Sequence, residues 1–289
     1  MMMRDLLDRL PKYSQSRPMH PSILSRMEYP NIVTAISKTA KHCVLELTND
    51  QICFTVLDDS GRAPTVWVEL SRYHFFNEYL MVGIGENNNK ILFDFDAQML
   101  AKSLMSLKAT ARSVKMKLTN KQHPCLTLEI ELPSLTTDSW QCIHDVPIKI
   151  LPKQEWNVYQ PPTIPDFHIS IDLPQLKYIR SFVERMKNMS PHLRLIVNND
   201  GLLVLKVETD AASVATHFQN LQVWKADESE RDSVTAAVDI RRFFTIHTWD
   251  AIHPDSVKCN IINERLVYIH INLDDNIKVH HFIPAVAID

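Results

Sequence analysis

The chain has 289 residues, 45% hydrophobic and 22% charged, with 31 Lys and Arg against 34 Asp and Glu for a net charge of −3. It is long for one compact domain and comfortable for two, and it has the composition of a globular protein with a real core. No apolar run approaches the roughly 20 residues of a membrane-spanning helix, so no membrane partner is expected.

The N-terminus, MMMRDLLDRL, lacks the apolar segment of a secretory signal, and Asp5 and Asp8 disfavour a mitochondrial presequence. Residues 1–22 are polar and proline-containing and are expected to be a flexible tail. Next comes a helix over 30–41, opened by Pro30, burying Ile32, Val33 and Ile36 and offering Lys38 and Lys41. Strands are expected at 43–48, 51–57 and 64–70. A helix over 97–112 follows, capped by Asp96. It buries Leu100, Leu104 and Leu107 and offers Lys102, Lys108 and Arg112.

Period-two alternation then marks three antiparallel strands. Val114, Met116 and Leu118 share one face opposite Lys115 and Lys117; Leu126 to Leu132 alternate with Thr127, Glu129 and Glu131; Val146, Ile148 and Ile150 point inward from 143–150. Residues 151–166, LPKQEWNVYQPPTIPD, hold four prolines without periodicity and read as an extended linker.

The order then repeats. Pro174 opens a helix over 174–189 whose core stripe is Leu176, Ile179, Val183 and Met186, with Lys177, Arg180, Glu184 and Lys187 on the other side. Strands 192–197, 202–208 and 212–219 lead to a helix over 240–249 that begins with Arg241 and Arg242. Three strands close the chain at 257–261, 266–273 and 277–283, separated by Asn263-Glu264 and Asp274-Asp275-Asn276. Asp96 precedes Val114 by 18 residues, and Asp239 precedes Val257 by 18. The reading is an α+β chain of two like domains, 23–150 and 167–289, each with antiparallel sheet covered on one face by two helices.

Charge follows this division. The four helices hold 11 Lys and Arg against one acid, Glu184, a balance of +10, whereas the rest of the chain sums to 20 − 33 = −13. Counting the caps Asp96 and Asp239 lowers the helical balance to +8. One basic helix is ordinary solvated surface; four of one sign point to a polyanion lying against them. The residues offered to such a polyanion are Lys38, Lys41, Lys102, Lys108, Lys177, Arg180, Lys187, Arg241 and Arg242.

Catalytic and metal chemistry finds no pattern. Cys43, Cys53, Cys125, Cys142 and Cys259 are widely spaced, without a C-x-x-C pair, which speaks against a disulfide framework or zinc ribbon and for a reducing compartment. Only four glycines occur, and Gly83-Ile84-Gly85 is followed by neither a third glycine nor a lysine, which excludes a phosphate-cradling loop. His280 and His281 fall on opposite faces of one strand, and His247 and His253 lack ligand spacing. No cofactor is expected. The competing reading is a hydrolase or transferase with dispersed catalytic residues on an α+β scaffold.

Eight segments carry a resemblance: ISKTAKHC (36–43), FFNEY (75–79), LTNKQHPCLTLEIEL (118–132), HDVPIKILP (144–152), VERMKNMSPHL (183–193), NNDGLLVLKVET (199–209), THF (216–218) and HFIPA (281–285). In this order, over residues 24 to 286, they resemble the Hus-type subunit of the nine-one-one DNA-damage checkpoint clamp, a relative of the replication clamp PCNA. The resemblance implies a non-enzymatic, nuclear, two-domain clamp subunit whose basic helices face a central channel and meet the phosphates of double-stranded DNA without sequence preference; a homotrimeric replication-type clamp is the competing reading of the same likeness. It further implies a heterotrimer with two other PCNA-like checkpoint subunits, a replication-factor-C-like clamp loader, and repair and checkpoint proteins as clients. Implied joint strands carry Cys142, Ile143, His144, Val146 and Ile148 in the first domain and Ala212, Val214, Thr216 and Phe218 in the second. Ile150, Leu151, Phe282, Ile283 and Pro284 would line a groove for partner peptides. Family members begin with a strand pairing into the first domain; here the stretch reads SQSRPMHPS, with Pro18 and Pro21 interrupting any ladder.

Overall fold

A computed structural model describes residues 25–61, 63–79, 81, 90–105, 111–133, 140–226 and 231–287. The expected N-terminal tail and Lys108 lie outside them. The chain forms two compact units, residues 1–56 with 69–160, and 57–68 with 161–289.

In the first unit, α1 (Ser25–Thr39) leads into β1 (His42–Leu47) and β2 (Gln51–Leu57); β3 (Pro64–Ser71) comes next in the chain, most of it counted with the second unit. A single turn α2 (Arg72–Phe75), β4 (Ile91–Asp96), α3 (Ala97–Leu104), β5 (Ser113–Asn120), β6 (Pro124–Leu132) and β7 (Trp140–Ile150) follow. Strands hydrogen-bond in the order β2-β1-β4-β7-β6-β5, all antiparallel. α1 begins five residues before the expected start, so Pro30 sits inside it. There the proline forfeits one backbone hydrogen bond near the helix start. Tyr29, Ile32, Val33 and Ile36 are buried, and the Tyr29 ring meets Phe54, Phe75 and Phe76 at 5.9–6.1 Å. α3 packs against α1. It stops eight residues before the expected end, and Arg112 instead joins the sheet, its N–H donating to Glu131 O at 2.8 Å.

The second unit runs β8 (Ile169–Asp172), α4 (Leu176–Met186), β9 (His192–Val197), β10 (Leu203–Glu208), β11 (Ser213–Phe218), β12 (Val223–Lys225), β13 (Val234–Asp239), α5 (Ile240–Phe244), β14 (Ser256–Ile262), β15 (Leu266–Leu273) and β16 (Ile277–Pro284). Its strands form two antiparallel runs, β12-β8-β14-β15-β16 and β11-β10-β9-β13. Leu176, Ile179, Val183 and Met186 are buried as the wheel predicts. The helix expected over 240–249 is α only to Phe244 and then tightens into a 3-10 stretch, Thr245–Ile252. The Thr245 and Thr248 hydroxyls each bond a carbonyl three residues back at 2.7 Å, a competing local geometry that suits the tighter turn. It places Trp249 at 0% exposure in the core.

Asp96 and Asp239 cap as expected: each carboxylate accepts from two backbone N–H groups at 2.8–3.0 Å. The turns use non-glycine residues with positive φ, among them Asn220, Glu264, Asp274 and Asp275. Gly201 is a true glycine position: φ is +77°, and a Cβ would stand 2.2 Å from the Leu221 carbonyl oxygen. The expected linker is not wholly extended. Leu151 is buried with Val44 and Leu92, beneath Trp156 of a 3-10 turn, Lys153–Val158, and Tyr159 just after it. Trp156 Nε1 donates to the Leu151 carbonyl at 3.1 Å, so an apolar anchor overrides the proline-rich composition. Pattern reading missed β4, β8, β12 and β13.

Candidate nucleic-acid and subunit interface

In the first unit the apolar stripe of α1 turns inward, leaving Lys38 exposed; Lys102 is exposed on α3, whose buried side is Ala97, Leu100, Ala101 and Leu104. Lys41, also exposed, lies beside the start of α3, because its carbonyl accepts the Ala97 N–H at 2.8 Å.

In the second unit Lys177 and Arg180 are exposed along α4, and Arg241 and Arg242 at the start of α5. Lys187 is half-buried: its ammonium lies 4.1 Å from the Phe244 ring centre and 3.9 Å from Glu184. Arg180 is 4.0 Å from the same carboxylate. Arg242 is engaged by Asp59 at 2.6 Å, so its guanidinium is less available to an outside anion than the sequence implied. Arg185, exposed on α4, belongs with the candidates although it was not among them.

Among the described residues, the two strands expected at subunit joints present open edges. β7 pairs with β6 through residues 140–147, but with β4 only at Ile148, Lys149 and Ile150. Among the described residues, one side of the 140–147 stretch therefore carries unmatched backbone groups. Ile143 is 52% exposed there, and Cys142 Sγ lies 3.2 Å from His144 Nε2. Val146 and Ile148 face the core at 1% and 9% exposure, so only the backbone of Val146 is offered, and β4 has closed the edge at Ile148.

Among the described residues β11 ends its sheet and pairs only with β10. Ala212 and Val214 are exposed, and Thr216 and Phe218 half-buried. Beside it, α4 presents two aromatics the sequence analysis passed over, Tyr178 and Phe182, the latter edge-on to Phe218 at 5.9 Å. Their signal was legible as a second apolar row at 178, 182 and 189, off the core stripe.

The groove residues have mixed fates. Ile150 is half-buried; Leu151 and Ile283 are core residues at 4% and 1% exposure and offer no surface. Phe282 stacks on Tyr268 at 4.9 Å, and Pro284 is exposed. His280 is held by the Tyr268 hydroxyl at 2.7 Å, and burial pushes its imidazole down to about 4.

The chain shares the fold of PCNA from Entamoeba histolytica, with a TM-score of 0.69 at 11% identity over 93% of this chain and 99% of that one. A PCNA2–PCNA3 complex from Sulfolobus tokodaii gives 0.66 at 11% identity, over 92% and 98%. This is the PCNA-like clamp fold, α+β with antiparallel sheets and few helices.

Sequence narrows the class further: the chain belongs to the Hus1-like protein family, which it matches over residues 25–287. It is 35% identical to human "Checkpoint protein HUS1" over 267 residues, 90% of this chain and 95% of that protein. Identity is 28% to the Drosophila melanogaster Hus1-like checkpoint protein, with 90% and 95% covered. For the Schizosaccharomyces pombe hus1 checkpoint protein it is 26%, over 71% and 70%. The chain is thus a checkpoint protein of clamp fold and not an enzyme.

Proposed function

We propose that this protein is one subunit of a heterotrimeric ring that encircles duplex DNA at sites of damage and serves there as a platform for checkpoint and repair proteins. The observation that carries the reading is the pair of open strand edges, β7 over 140–147 in one unit and β11 over 213–218 in the other. A chain with two different open edges joins its neighbours head to tail, and a head-to-tail contact that closes makes a ring. Val214, Tyr178 and Phe182 beside one edge and Ile143 on the other supply apolar contact to such joints.

The exposed lysines and arginines of α1, α3, α4 and α5 support a loose, salt-sensitive grip on phosphates. The domains proposed for this role are 23–150 and 167–289, joined through 151–166. Its partners would be two other PCNA-like subunits and a replication-factor-C-like loader, and its compartment the nucleus. Mass measurement in solution tests the assembly. The purified chain is expected to be a monomer that forms a 1:1:1 complex only with two different clamp-like chains. A self-formed trimer would instead establish the homotrimeric reading.

A further inference from the structure

The short strand β12 of the second unit breaks register, and the break builds a surface. It pairs with β8 at Val223 to Ile171 and at Lys225 to Ser170. Two steps along β12 thus answer one along β8, and Trp224 is the extra residue of a β-bulge. In a regular strand Val223 and Lys225 would share a face. Here Val223 goes with Ile171, which is 0% exposed on the core side, and Lys225 with Ser170, on the face of Asp172, Lys258 and Asn260. Trp224 is on that face too, since its Nε1 donates to Asp172 Oδ1 at 2.7 Å. The bulge therefore sets two residues adjacent in sequence on one outer face.

The arrangement is fixed in place. Trp224 is 58% exposed, yet its only polar group is taken by Asp172, and the Lys258 ammonium stands 3.7 Å from its ring centre. Lys225 lies 5.2 Å from the Phe167 ring centre and 2.5 Å from Asp166, whose side chain is 94% exposed. An ion pair that exposed is weak and exchanges readily for another anion. Two rings, each with an ammonium against it, are thus supplied by β12, β14 and the residue stretch leading into β8. An oriented ring face with a cation beside it suits an unpaired nucleotide, whose base stacks and whose phosphate is negative. Duplex bases are already stacked on one another and have no use for the ring. Lysine is depleted at protein–protein contacts and is a regular partner of phosphate, which favours nucleic acid over a polypeptide here.

We propose that this outer face of the second unit binds single-stranded nucleic acid, a base stacking on Trp224 and the flanking phosphates meeting Lys258 and Lys225. The site goes beyond the clamp reading and needs neither partner subunits nor the basic helices.

The test uses the full chain with fluorescein-labelled oligothymidylate, read by anisotropy. The same oligomer carrying 5-iodouracil is photo-cross-linked and the adduct mapped by mass spectrometry. The cross-link is expected on Trp224. Trp224→Ala is expected to weaken single-strand binding about tenfold, and Trp224→Phe, which keeps a ring without the N–H, to retain most of it. Lys258→Gln is expected to lower the slope of log affinity against log salt by about 0.7. Binding of blunt duplex should be indifferent to Trp224→Ala, so this proposal and the clamp reading fail separately. Three results would overturn the proposal: no binding of oligothymidylate to the unaltered chain, equal binding by Trp224→Ala, or cross-links confined to the helices. Either of the first two would leave the indole to a polypeptide.

Discussion

The two units finish the same cassette differently. Each has a capping aspartate, a helix, and a strand beginning its alternation 18 residues on. In the first unit α3 is an ordinary helix of eight residues; in the second, α5 lasts five and gives way to a 3-10 stretch wrapped around Trp249. The cap and the strand pattern are set locally, by side chains reaching their own backbone and by alternation. The path between them is set by what must be buried, and the units bury different things there.

The largest test of that contrast removes Trp249. Trp249→Ala should cost about 3–5 kcal/mol, read as a lower urea midpoint, with amide protection lost in the second unit and kept in the first. A loss below about 1 kcal/mol would mean the 3-10 stretch is held by its threonine hydroxyls and not by burial.

Acid should separate the units next. His280 is pushed down to about 4 by burial, helped by the charges of His270 and Lys278; His281 reaches about 4 by burial, helped by Arg242. Because the folded values lie below the ordinary 6.5, the folded state favours neutral imidazoles. Stability from this source is complete above pH 6.5 and is lost as pH falls toward 4, by roughly 2–3 kcal/mol per histidine. Urea midpoints measured from pH 7 to 4 should therefore fall, and changing both histidines to glutamine should flatten that slope even if the midpoint itself drops.

A charge reversal compares the helical faces. In the proposed ring, changing Lys177, Arg180 and Lys187 to glutamate should weaken duplex association about tenfold or more, and lower the slope of log affinity against log salt by about 3. Reversing Lys38, Lys41 and Lys102 should act comparably. Unchanged duplex retention in both rings would remove the channel assignment. The smallest effects belong to the caps: Asp96→Ala and Asp239→Ala should each cost about 1 kcal/mol, measured by urea denaturation, and nearly equally, because each carboxylate serves two N–H groups.

Much of this architecture was legible because it is written in local periods. The core stripe of α4 and the faces of β5, β6, β14 and β15 follow from spacing alone, and so do both caps. β8 and β12 escaped notice because strands of four and three residues show no resolvable period. The tightening after Phe244 and the anchoring of Leu151 depend on tertiary burial that no window of sequence contains. At the candidate interfaces, the sign of charge on each helix was readable, but the ion pair from Arg242 to Asp59 joins residues 183 positions apart. Val146 and Ile148 were correctly placed on an inward-facing row. Where β4 would close that edge depends on pairing, which side-chain alternation does not encode.

Cys142 gives the open stretch of β7 a practical consequence. The other four thiols are buried, and burial raises those of Cys43, Cys53 and Cys259 far above their ordinary range, the last to about 12. The unaltered chain therefore carries one address for a maleimide dye, on the strand where a neighbour would dock, and the closing of a seam there could be timed by fluorescence without first engineering the protein.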